Sequence, residues 1–219
     1  MNNLIVPSLG ETLLCNNFDI ATDYLELTLD AITTNGALRD IPFVRTLVGV
    51  GETAIAVRDR HLLKKTLEFV RQVNCGNISD ETREKYRKKI IERDANMQRE
   101  LEHVLLLIDN FIDGEKSKKL AKFYLKYVDG EMEWEDFCIF GEILDTISIH
   151  DFKALEYMYE KKYLYVNDCK NVNSISIYRM ASVGLIEHFA GRPSSVNGEK
   201  NVIALITDVG NNFYEIANG

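Results

Sequence analysis

Four histidines, four cysteines and a few carboxylate clusters are the residues of this chain that could carry reaction chemistry. A zinc site needs such side chains at short fixed intervals, such as C-x-x-C or two histidines one helical turn apart. His61, His103, His150 and His188 are scattered, as are Cys15, Cys75, Cys138 and Cys169. No metal site is expected from them. Gly49-Val50-Gly51-Glu52-Thr53-Ala54 has part of a phosphate-cradling loop, but it lacks a third glycine and the Gly-Lys-Ser/Thr ending. Asp59 and His61 could pair as acid and base, but residues two apart do not face each other on a helix. Glu92, Asp94 and Glu100, interleaved with Arg93 and Arg99, read as a solvated helix face. Cys75 has no local base to activate it, and His150-Asp151 reads as a helix cap. The expectation is a chain with no catalytic constellation, no metal and no cofactor.

The remaining candidate is a recognition surface. Ser174, Ser176, Tyr178 and Arg179 fall on a short predicted helix, and Arg192 and Lys200 fall in the turn-rich stretch after it. Hydroxyls, a phenol and a guanidinium could read base edges. The charge argues against that use. Nucleic-acid binders concentrate a positive stripe, because phosphate contacts supply much of their affinity. Residues 151–219 hold seven basic against eight acidic residues, and the whole chain carries a net charge of −8. A protein partner is therefore expected, and DNA is disfavoured.

These side chains must be held by mainly helical elements. Apolar residues at 46% and charged residues at 27% suit a globular chain with a sizeable core. The spacing predicts helices over Asp19–Thr33, over Leu62–Val70, over one long run from Asp80 to Asp109 with Tyr86, Ile90, Ile91 and Met97 inward, over Glu115–Tyr127, and from Trp134 to Ile147. Ser79 is the expected N-cap of the long helix. Phe43 to Val57 is the most apolar segment; at about fifteen residues it is too short to span a bilayer and reads as a buried helix. From residue 151 the pattern changes. Asp151–Tyr159 is helical, Tyr163–Val166 extended, and Asn167–Asn173 a polar loop. A helix from Ser174 then turns at Gly184 into a strand, followed by a wing over Gly191–Lys200, a strand at Val202–Thr207 and a helix from Asp208. The predicted fold is mainly α: a helical bundle over residues 1–150, then a winged-helix-like α+β unit over 151–219.

The closing pattern, Tyr178 to Ile186 followed by Ile206-Thr207-Asp208-Val209-Gly210-Asn211-Asn212-Phe213-Tyr214, resembles the tail of the abortive-infection alpha family. There a Gly-Leu-Ile turn precedes a wing and a Thr-x-x-Gly-x-x-Phe ending. The middle of the chain is similar to helical proteins of prophages and mobile elements. The resemblance implies a role in conflict between phage and bacterial host and transfers no catalytic residue. The resulting expectation is a cytoplasmic, non-enzymatic interaction module. Membrane insertion is disfavoured and self-association left open. A DNA-binding regulator and a membrane-active effector are the alternatives.

Overall fold

The computed structural model describes residues 4–14, 40–48, 57–76, 79–189 and 194–219. Among them the chain forms ten α-helices and four strands. The helix expected over Asp19–Thr33, the glycine-rich run from Gly49 to Ala54, and Arg192 lie outside the described residues. The chain divides into two compact units, Met1–Phe137 and Cys138–Gly219. The division falls before the expected residue 150, because Phe140 already packs within the second unit, edge-on to Phe213 at 5.4 Å.

The first unit is helical. Helix α1 (Ile5–Leu13) carries Pro7 in its first turn, where no backbone donor is needed. It touches α2 (Pro42–Val48), α3 (Val57–Cys75), α4 (Asp80–Ile91) and α5 (Ala95–Asn110). The Thr12 hydroxyl accepts a 2.9 Å hydrogen bond from the Phe43 amide and so ties α2 to α1. Helix α3 lies along α6 (Gly114–Val128). Lys65 closes the end of α5, donating to the carbonyls of Asp109 at 2.9 Å and Phe111 at 2.6 Å. Leu9, Phe43, Phe69, Leu101, Leu105, Phe123 and Tyr124 are fully buried and form the centre of this core.

The single helix expected from Asp80 to Asp109 is two helices. Ser79 caps the first, accepting from the Thr82 amide. Arg93 then takes φ = 52°, in the left-handed region that ends a helix. Asp94 starts the second by accepting from the amides of Asn96 and Met97. The break turns Ile91 out to 65% exposure, although it was expected inward. The described part of the apolar segment forms the helix Pro42–Val48, its residues 49–56 lie outside the described residues, and no described helix is long and apolar enough to cross a membrane.

The second unit begins within α7 (Trp134–Thr146) and contains α8 (Phe152–Lys161), β1 (Tyr163–Tyr165), α9 (Ser174–Ser182), β2 (Ile186–His188), β3 (Ser194–Val196), β4 (Glu199–Ile206) and α10 (Asp208–Asn218). Val166–Asn171 form a 3-10 helix, where an extended Val166 and a polar loop over Asn167–Asn173 were expected. Antiparallel β4 lies between β1 and β2, with Leu164 opposite Ala204 and Ile186 opposite Ile206. Val202, Ala204 and Ile206 are buried at alternate positions along β4, the period of a half-covered strand. Strand β3 pairs with β4 across Asn197-Gly198, both at positive φ, as a two-residue hairpin turn requires. The unit is winged-helix-like, and the strand of its wing begins at Glu199 rather than Val202.

A docking face on helix α9 and a groove on helix α5

Helix α9 starts at Asn173, whose side-chain oxygen accepts from the Ile175 amide at 2.9 Å. It ends before Gly184, whose φ of +78° makes the turn into β2. Its buried stripe is Ser176, Ile177 and Met180. The expected surface therefore splits. Ser174 and Tyr178 are exposed, but Ser176 is 5% exposed and belongs to the interior. Spacing accounts for this, since Ser176 shares its face with Met180, four residues on. Arg179 is committed elsewhere. Its guanidinium donates at 3.0 Å to Oδ2 of Asp151, a buried carboxylate. The same oxygen accepts from the Ser148 amide at 2.7 Å. Ser148 is the cap at this helix start and Asp151 completes the box, while His150 is exposed. Lys200 is exposed on β4.

Beside the exposed Ser174 and Ser182, α9 presents two large side chains outward. Ile175 is 61% exposed and Tyr178 is 63% exposed. The Tyr178 ring meets His188 of β2 edge-on at 5.1 Å, which holds it upright on the surface. The one cation of the helix is paired with an internal carboxylate, and the outer face offers a phenol, a sec-butyl side chain and the serine hydroxyls of Ser174 and Ser182.

A second site lies within the first unit. Asp94 sets the start of α5 so that Glu100 and His103, three residues apart, share one face. With Asn96, Arg99 and Trp134 they line a groove of about 410 Å³. The Trp134 ring stands edge-on to His103 at 5.7 Å, 5.1 Å from Tyr127 and stacked on Phe137 at 5.0 Å. Burial pushes the Glu100 carboxyl above the ordinary glutamate value; the Tyr127 hydrogen bond and Lys89 act against that shift, and Asp94 adds to it. Glu100 Oε2 and His103 Nε2 are sealed from water without a hydrogen-bond partner. Each such group costs about 1–3 kcal/mol. Glu100 is thus not part of a solvated face, although Glu92, Arg93 and Arg99 are exposed. Only the three-residue spacing of Glu100 and His103 signalled this site. Trp134 and Tyr127 reach it from distant sequence, which no local pattern reveals.

Among the described residues, no group of three or more His, Cys, Asp or Glu side chains could hold a metal ion. Cys75 is a free thiol. No protein-family model, no curated protein and no solved structure matches the chain.

Proposed function

We propose that this chain is a non-enzymatic protein-recognition module whose second unit docks a partner through the outer face of α9. The observation that carries the reading is the division of labour on that helix: Arg179 is held by buried Asp151, while Ile175 and Tyr178 stand exposed. Large exposed apolar side chains on a rigid helix are the usual anchors of a protein interface. The partner that fits is a protein with an apolar cleft, because the exposed anchors are Ile175 and Tyr178 and residues 151–219 are nearly neutral, with seven basic against eight acidic residues. The cytoplasmic setting in phage–host conflict is proposed on the resemblance of the Gly184-Leu185-Ile186 and Thr207-to-Phe213 pattern.

The test is affinity capture from phage-infected and uninfected bacterial lysates, with and without nuclease, using the wild-type chain and Ile175→Glu. A partner that survives nuclease and is lost with Ile175→Glu is the expected result. Ile175 is exposed, so this variant leaves the core intact. Capture that is unchanged by the substitution, or a complex that dissolves with nuclease, overturns the reading.

A further inference from the structure

The groove on α5 is separate from the α9 face and has a chemistry of its own. Its walls supply a carboxylate, an imidazole and an indole face. The buried polar atoms on this wall lack donors: Glu100 Oε2 has none, and neither does His103 Nε2, which accepts when the ring proton sits on Nδ1. Tyr127 hydrogen-bonds the Glu100 carboxylate, but Oε2 has no partner; an aromatic ring beside such an oxygen attracts a cation twice, through the carboxylate charge and through the negative face of the ring. Asn96 and Arg99 are exposed at the rim, and there the Arg99 charge is screened by solvent. Both atoms are sealed beneath the groove wall, so a group that relieves them must part the side chains over them, carry several N–H donors and a positive charge, and be flat or small enough to lie against Trp134.

We propose that this groove binds an organic cation with N–H donors, a guanidinium or primary ammonium, held by Glu100 and His103 against the Trp134 ring. The cation can belong to a free small molecule or to an arginine side chain of a polypeptide. Both present the same donors to the same two atoms.

Trp134 is the only tryptophan of the chain, so intrinsic fluorescence reports on the groove directly. The full chain is titrated with agmatine, with acetyl-arginine-amide, and with n-butylurea as a neutral donor of similar shape. The expected result is a saturable change with at least one cation, binding at least tenfold weaker to n-butylurea, and a tenfold or greater loss of cation affinity in Glu100→Gln. Tighter binding of acetyl-arginine-amide than of agmatine assigns the site to a polypeptide side chain, and the reverse order assigns it to a small molecule. No saturable change with either cation, or equal binding of n-butylurea, overturns the proposal. The comparison of ligands uses the wild-type chain alone, so it holds even if Glu100→Gln fails to fold.

Discussion

Asp151 and Glu68 are two buried carboxylates that the fold treats in opposite ways. Asp151 accepts from the Ser148 amide and from Arg179, both onto Oδ2. Removing Arg179 leaves that oxygen one backbone donor in a site the solvent barely reaches. Breaking a buried pair by deleting one partner typically costs 3–5 kcal/mol. Arg179 itself is one-third exposed, so water recovers part of that loss. Arg179→Ala is expected to destabilise the fold by about 2 kcal/mol, read as a lower urea midpoint. An unchanged midpoint contradicts a structural role for this guanidinium. Glu68, on α3, has no partner for Oε2. Burial raises its carboxyl above the ordinary value of 4.5; Lys118 and Lys64 pull it down, and Glu115 and Asp113 push it up. A carboxyl raised in the folded state contributes stability that is fully present below its unfolded pKa and lost as pH rises through the folded one. Glu68→Gln removes that dependence. The stability of the variant relative to wild type should therefore improve as pH is raised from 4.5 toward neutrality. A difference that stays constant with pH, or changes in the opposite direction, shows that Glu68 does not titrate as its burial implies. Gly114 completes this site, because a Cβ there would lie 2.1 Å from Glu68 Oε2.

At the scale of elements, the Gly-Leu-Ile turn and the Thr-x-x-Gly-x-x-Phe ending are one structural lock. Gly184 turns the chain at positive φ, and buried Leu185 and Ile186 follow. Thr207 then caps α10 by accepting from the Gly210 amide at 2.9 Å, and its hydroxyl lies 2.7 Å from the Gly184 carbonyl, to which it donates. Its own amide donates to the Leu185 carbonyl at 3.1 Å. The start of α10 thus sits directly on the Gly184 turn. Gly210 makes the approach feasible, since a Cβ there would stand 2.0 Å from the Leu185 carbonyl oxygen. Phe213, one turn on, is fully buried against Phe140 and Phe152. Gly210→Ala must move α10 or the turn. The expected loss is about 2–3 kcal/mol, at the upper end of overpacking costs, measured by thermal or urea unfolding. A loss below about 0.5 kcal/mol, the scale of a neutral surface change, sinks the lock. Much of this was legible in the sequence. Gly184, Thr207 and Gly210 mark the turn and the cap, and Asn197-Gly198 is a hairpin signal within the expected wing. The alternation of Val202, Ala204 and Ile206 marks β4. The break at Arg93 was not legible. Helical periodicity runs through it, and what ends α4 is a backbone conformation of arginine rather than a glycine or proline. Helix α1 was hidden for a related reason, since a proline in its first turn looks like a breaker. The groove was least legible of all, because Tyr127 and Trp134 join Glu100 and His103 only through the packing of α5, α6 and α7 within the first unit.

For the whole molecule, charge decides which class of partner is reachable. The sequence pI is 5.1, so the chain is anionic at neutral pH and is repelled by a phosphate backbone. A winged-helix-like unit could overcome this only with a local positive stripe. Arg179 is held by Asp151. Lys162, another cation of the second unit, donates to Asn211 and lies 4.4 Å over the Tyr159 ring. The described basic side chains of this unit are therefore partly engaged in holding it together, and α9 offers none that is unpaired. Counterion release then has few contacts to draw on. A protein making about 6–10 phosphate contacts loses about 10³–10⁵ in affinity between 50 and 200 mM salt. For this chain, titration of a fluorescent duplex is expected to give no saturable binding at about 50 mM salt, and lowering the salt further should not create any. Arg179→Ala should leave that result unchanged, because its guanidinium serves Asp151. Binding that strengthens steeply as salt is lowered and weakens with Arg179→Ala would mean that the ion pair opens to release Arg179 to phosphate. That outcome would return α9 to the role of a groove-reading helix and make its apolar face a consequence of DNA recognition rather than of protein docking.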